Sequence, residues 1–437
     1  LGSVEMTEGE GLAELAQWLA ANGIEQVETI VSDMAGRARG KLVPAGQIGE
    51  AGVKLPEALF GQTAAGDYFL PQDNVADRDM RCRPIAETAR IQPWAAEPTA
   101  SVLLDCSYAD GSTVSVAPRA VLQHVIDLYA AQGWRPVVAP EVEFYLLADK
   151  SVDDLAIDPY GTEQVHDHGA LFEQLNEYCG RQDIALGAMS QELGRGQFEV
   201  NFEHGDALRL ADDVFHFKRT LRRTALEFGF KATFLAKLSS AMPGSSLHIH
   251  QSVVDTDGKN VFSSADGSPS PRFGHFVGGL QTWTRDVFLL LAPYANSYRR
   301  FMSAWSSPVN LEWGVDNRTT GFRVPESPPE ARRVENRLAG SDVNPYLAIA
   351  GTLACGYLGM MREVEARPEV DGSAYKAPYS LHRHFYEALD AFRGSDAMRD
   401  SLGDAFVTAY AAMKEQEYRD YQQRIPEWEL AELMENV

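Results

Sequence analysis

Apolar and polar positions repeat with two different periods along this chain, and the change of period divides it. At residues 9–22, GEGLAELAQWLAAN sets Leu12, Leu15, Ala16 and Leu19 on one helical stripe, and Gly23 follows where a helix stop belongs. IEQVETIVSDMAGRARGKLVP then has the two-residue period of a strand, a turn at Asp33 to Gly36 and a second strand. Short strands and Pro/Gly-rich loops continue to about Tyr108, so this part reads as a small α+β domain.

Longer helices alternating with strands begin at APRAVLQHVIDLYAAQGW, residues 117–134. The periodicity predicts further helices near 167–182, 206–229, 343–361 and 404–422, and strands at 137–147, 197–203, 247–253 and 332–338. The change falls in GSTVSV at 110–116, which divides the chain into domains of residues 1–112 and 113–437. No internal repeat is visible. The polar, turn-rich stretch at 255–271 is expected to form a surface hairpin.

Four of the predicted strand segments carry charge where an apolar face is expected. Glu141 and Glu143 lie two residues apart in VVAPEVEFYLL, and so do His248 and His250 in GSSLHIHQS, so each pair leaves one face of its strand. Glu192 and Glu199 flank a Gly-Arg-Gly turn, and in RRVENR the residues Arg333, Glu335 and Arg337 share a side. Taken alone, a Glu-x-Glu pair is most often a solvated strand face, and a His-x-His pair is more often hydrogen-bonded than metal-bound. Their joint occurrence on segments with apolar flanks points instead to a cation site. Carboxylate oxygens with at most one imidazole suit Mg²⁺ or Mn²⁺, whereas zinc favours His and Cys.

Composition adjusts this picture only at the edges. A net charge of −23 on 437 residues disfavours a nucleic-acid or anionic-membrane surface. The widely spaced Cys82, Cys106, Cys179 and Cys355 form no metal or disulfide framework and suit a reduced, cytoplasmic protein. No apolar run reaches bilayer length. Arg299, Arg300, Arg318 and Arg323 supply guanidinium forks suited to carboxylates and phosphates, opposite the acidic set.

In order along the chain, VSDMAGRARGK, PEVEF, QELGRGQFEVNFEHGDAL, KATFLAK, PGSSLHIHQS, NSYRR, DNRTTGFRVP and RRVENRLAGSDVNPYLA resemble the glutamine synthetase family of the bacterial type I kind, over about residues 28–350. The resemblance implies an N-terminal β-grasp domain, a larger catalytic domain built on a curved antiparallel sheet surrounded by helices, and a cytoplasmic dodecamer of two hexameric rings with each active site between subunits. It further implies two divalent ions, one on Glu143, Glu192 and Glu199 and one on Glu141, His248 and Glu335. Arg300 and Arg337, with Gly244 and Glu143, fall at glutamate-binding positions, Arg318 at a phosphate contact, and His250, Ser252, Arg323 and Arg333 at ATP-binding positions. Glutamate, ATP and an amine would be the reactants, joined through a γ-glutamyl phosphate.

The departures from the family concern the amine. Asp33 matches an aspartate of the ammonium pocket, but the pocket's glutamate is replaced by Ser306, which lowers the attraction for a small cation and frees volume for a larger nucleophile. The text around DNRTTGFRVP and VENRLAGSDVNPYLAIAGTLACGYLGM resembles the γ-glutamylpolyamine (γ-glutamylputrescine) synthetase branch more than glutamine synthetase proper, and the enzymes of that branch serve polyamine catabolism. Putrescine or another polyamine is therefore the expected amine, with a monoamine or ammonia as the alternatives. A catalytically silent homologue would have shed metal donors, and all six positions keep theirs. Glu330 and Ser246 are further departures near the nucleotide and loop positions, and no counterpart of the adenylylated tyrosine segment is found.

Overall fold

The computed structural model of the chain describes residues 8–49, 51–68, 77–148, 159–302 and 307–437. Its first sheet is built from β1 (Gln26–Ser32), β2 (Ala38–Pro44), β3 (Val53–Pro56), β4 (Asp79–Pro84), β5 (Arg90–Ile91) and β6 (Thr99–Ser107). The order is β2-β1-β6-β4-β3, with β5 on β6, and only β1 and β6 run parallel. The predicted amphipathic helix is Glu8–Ala21. Its Leu15 and Leu19 pack on Val27, Ala100 and Val102 of β1 and β6, forming a small core of their own. The opposite side of the sheet, including Ile30 and Leu103, joins the main core.

The second sheet follows: β7 (Trp134–Leu147), β8 (Leu186–Gln191), β9 (Gln197–Phe202), β10 (Gly205–Asp206), β11 (Lys231–Thr233), β12 (Leu247–Asp255), β13 (Trp313–Val315), β14 (Phe322–Val324) and β15 (Val334–Asn336). The order is β13-β14-β15-β12-β7-β9-β8, with β10 and β11 also on β7, and every pairing is antiparallel except β13 with β14. The two-residue alternation sends Val142, Phe144, Phe198, Val200, Leu247 and Ile249 into the core, all fully buried. The charged residues between them are left on the other face.

The helices that back this sheet follow local rules. Asp206 caps Ala207–Glu227 by accepting from Leu208 N and Arg209 N, both at 3.0 Å. Pro345–Met361 is apolar on all sides and buried along nearly its whole length, as a central helix must be. Its cap, Asn344, accepts from Tyr346 N at 3.0 Å through Oδ1, while its Nδ2 donates at 2.9 Å to the carbonyl of Asp33 in the first sheet's turn. The sheets are also tied by Arg90, whose guanidinium pairs with Asp213 and donates to the Gln182 carbonyl at 2.9 Å, and by Arg219 to Glu28 at 2.6 Å. Among the described residues no helix is long and apolar enough to cross a membrane.

Three expectations change in detail. The helix expected near 167–182 is two pieces, Thr162–Asp167 and Gly169–Arg181, because His168 leaves helical geometry at φ −103, ψ 14. The strand expected at 332–338 is only Val334–Asn336. The stretch at 255–271 makes two tight surface turns, closed by antiparallel bridges from Val254 to Asn260 and from Ser263 to Pro269, but between them Val261 and Phe262 are buried, and the Arg332 guanidinium donates to Ser263 Oγ at 2.6 Å and to the carbonyls of Ser268 and Gly267, both at 3.0 Å.

Candidate active site

Strand register assembles the charged face. His248 of β12 lies opposite Glu141 of β7, Glu143 of β7 lies opposite Glu199 of β9, and Glu335 of β15 lies between His250 of β12 and Arg323 of β14. The Glu141 carboxylate bridges both histidines, at 3.2 Å from His248 Nδ1 and 3.0 Å from His250 Nε2. Two trios present converging ligand atoms: Glu141, Glu199 and His248, and Glu141, His250 and Glu335. They share Glu141. Of the other two carboxylates that the resemblance groups with Glu199, Glu143 sits 3.9 Å from His248 Nε2, and Glu192 closes the tight turn before β9, its N–H donating to the Gln197 carbonyl at 2.8 Å.

Crowding sets the protonation states. Burial, helped by Glu141, Glu143 and Glu192, pushes the Glu199 carboxyl up to about 9. Burial and Glu192 push Glu143 up to about 8. Burial also raises Glu192, against the pull of Arg318. The two best-partnered carboxylates go the other way. Burial opposes the ionisation of Glu335, but Arg337 and the two histidines hold it at about 2, and the histidine hydrogen bonds hold Glu141 well below the usual carboxylate range despite its burial. Burial and Arg337 lower His248, leaving its imidazole neutral and able to ligate. A face that keeps protons on two acids near neutral pH lacks positive charge, and its hard oxygen donors with one imidazole per trio fit a divalent cation of the Mg²⁺ type.

The arginines divide into three groups. Arg323 donates from Nη1 to Glu335 at 2.9 Å and from Nη2 to Asp316 at 2.8 Å, Arg337 pairs with the other Glu335 oxygen, and Arg333 Nε lies 3.2 Å from His250 Nδ1. These three edge the cluster. Arg300 is buried, and its Nε, Nη1 and Nη2 are taken by Ser307 Oγ at 3.2 Å and the carbonyls of Leu338 and Arg337 at 3.0 and 2.9 Å. It braces the strand that presents Glu335 and Arg337. Gly244 packs against it so closely that a Cβ there would lie 2.4 Å from Arg300 Cγ. Arg318 is exposed in an open cleft of about 680 Å³ lined by Asp316, Asn317, Glu369 and Asp371.

Of the remaining predicted residues, Ser252 lies on the same side of β12 as His248 and His250. Ser306 lies outside the described residues. Asp33 is fully buried in its own turn: Oδ1 accepts from the N–H groups of Ala35 at 3.0 Å and Arg37 at 2.8 Å, and Oδ2 accepts from Arg39 Nε at 2.7 Å. None of these bonds reaches the cluster. Sequence reading passed over Gln197, whose Nε2 donates to Glu143 at 3.2 Å and to the Gly244 carbonyl at 3.0 Å, while its Oε1 accepts from Gly194 N at 2.9 Å. Gln197 and Glu199 share the period of β9, so the signal was the polar alternation Gln-x-Glu-x-Asn itself.

A family model for the glutamine synthetase catalytic domain matches residues 115–433. The chain belongs to the glutamine synthetase family, and it is a ligase with that family's fold. It is 31% identical to a glutamate–isopropylamine ligase of a Pseudomonas species, over 98% of both chains. It is 30% identical to the gamma-glutamylputrescine synthetase of Escherichia coli (strain K12), over 94% of this chain and 92% of that one. A solved structure described as "Apo GmaS without ligand" superposes with a TM-score of 0.87 at 25% identity, covering 96% of this chain and 99% of the other.

Proposed function

We propose that this chain joins the γ-carboxylate of glutamate to the nitrogen of an organic amine, most specifically putrescine or another polyamine, with ATP as the energy source. A carboxylate oxygen of glutamate attacks the γ-phosphorus of ATP and ADP leaves. The amine nitrogen then attacks the acyl carbon, phosphate leaves, and the nitrogen sheds a proton. The observation that carries this reading is the single sheet face on which Glu141, Glu199, His248, His250 and Glu335 converge beside Arg323, Arg333 and Arg337. When bound there, Mg²⁺ or Mn²⁺ would offset phosphate charge. Arg323, Arg333, His250 and Ser252 would orient ATP, Arg337 and the Gly244 loop would orient glutamate, and Arg318 would meet the transferred phosphate from its exposed position.

The replacement of a family glutamate by Ser306 supports an organic amine over ammonia. Asp33 is proposed as the carboxylate that receives the amine in a neighbouring subunit of a dodecamer, a role that requires Arg39 to release it. A monoamine is the second reading, favoured by the similarity to the isopropylamine ligase. ADP release measured with glutamate, Mg²⁺ and a panel of ammonia, putrescine, spermidine, ethanolamine and isopropylamine tests both. Highest turnover is expected with a polyamine; turnover confined to a monoamine selects the second reading, and turnover with ammonia alone overturns both.

A further inference from the structure

Two of the four cysteines meet in a place the ligase chemistry does not use. Cys82 of β4 and Cys106 of β6 are register partners on adjacent antiparallel strands, and both are buried. Their Sγ atoms lie 3.1 Å apart, with the Cys106 thiol donating to the Cys82 sulfur. Directly opposed residues of an antiparallel pair have Cα atoms about 4.5–5.5 Å apart. That lies within the roughly 4.4–6.8 Å that a disulfide spans, so the strand spacing permits the two to be joined. Cys179 and Cys355 are also free and buried, but they are on the helices Gly169–Arg181 and Pro345–Met361, far from either strand in the chain.

We propose that Cys82 and Cys106 are an oxidisable dithiol, a modification site that closes reversibly into a cross-strand disulfide when the protein meets a peroxide. One thiolate attacks a peroxide oxygen, the O–O bond breaks, and a sulfenic acid and one water result. The second thiol attacks that sulfur, forming the S–S bond and expelling a second water. In sum, two thiols and hydrogen peroxide give a disulfide and two waters, with sulfur oxidised and oxygen reduced.

The pair is well placed for a local staple. The central strand β6 carries Cys106, while β4 carries Cys82 and holds the edge strand β3, with Val53 opposite Cys82. The bond would close a loop that contains Arg90, the residue that ties this sheet to Asp213 and Gln182. Oxidation would thus fasten the outer half of the first sheet and hold the base of that anchor, without touching the glutamate cluster.

The test uses the full chain, treated with hydrogen peroxide while folded, then unfolded and alkylated before peptide mapping without reductant. The expected result is one cross-linked peptide pair, Cys82 with Cys106, a mass loss equal to two hydrogen atoms, and full alkylation of Cys179 and Cys355. Dithiothreitol should restore all four thiols, and Cys106→Ser should abolish the cross-link. Recovery of four alkylated cysteines after treatment, oxidation to sulfinic acid without a cross-link, or a cross-link to Cys179 or Cys355 would each overturn the proposal. Thermal unfolding of the same samples gives a second reading, because the oxidised wild type should melt higher than the reduced one, and equal melting would contradict a staple.

Discussion

The two sheets use the same alternation for different ends. In the first, strands such as β6 are buried on both sides, by the helix Glu8–Ala21 and by the main core, and charged residues at its borders have ion-pair partners: Arg90 with Asp213, Glu28 with Arg219, Asp33 with Arg39. In the second, one side is as apolar as any core, while the other buries a cluster of carboxylates against one another, and that burial, with the neighbouring acids, keeps protons on Glu143 and Glu199 into the neutral range. Balanced charge is architecture, and unbalanced charge marks where something else must bind.

That contrast can be broken first at its most exposed point. Glu141 belongs to both donor trios, so Glu141→Ala should lower ligase turnover by about 10²–10³-fold, with the far-UV circular dichroism unchanged. Loss of folding instead would make Glu141 a structural residue. On the balanced side, Arg90→Ala should leave turnover per folded molecule intact and destabilise the protein by about 3 kcal/mol in denaturant titration, the low end for a broken buried pair. The low end applies because Arg209 still reaches Asp213, at 3.1 Å.

Gln197 holds Glu143 without being an acid, so Gln197→Ala should weaken divalent-metal binding by about 10–100-fold, read by calorimetry. The pH response probes the same face as a whole. Without metal, the folded chain keeps protons on Glu143 and Glu199 up to about 8 and 9, whereas unfolded glutamates lose theirs near the ordinary value of 4.5. The folded state therefore binds more protons between those limits, and the stability of the metal-free protein falls as pH rises through them. Melting in EDTA should drop from pH 6 to pH 9, and added Mg²⁺ should flatten the slope; a slope unaffected by Mg²⁺ would place the protons elsewhere.

Periodicity carried most of the fold. The helix Asp404–Gln422 and the strands bearing Glu141, Glu143, His248 and His250 stand where the two repeats put them, because side-chain period is a local property. Register is not local. Which glutamate faces which histidine depends on how far β7 and β12 slide against each other, and only the register shows that Glu141 lies opposite His248 and within reach of both donor trios. Arg300 shows the same limit: nothing in the Tyr-Arg-Arg string tells that its guanidinium also donates to the carbonyls of residues 337 and 338. Asp33 was legible as a turn residue and as a carboxylate, and the fold uses both properties at once on its own backbone.

Asn344 joins two tasks that are usually separate. One end of its amide starts the long buried helix and the other grips the turn of the first sheet, seven positions after Arg337. The turn that holds Asp33 and the start of the helix that follows the Glu335 segment therefore share one side chain. The amide works as a rivet: losing it would remove a helix cap and a contact between the two sheets in one change.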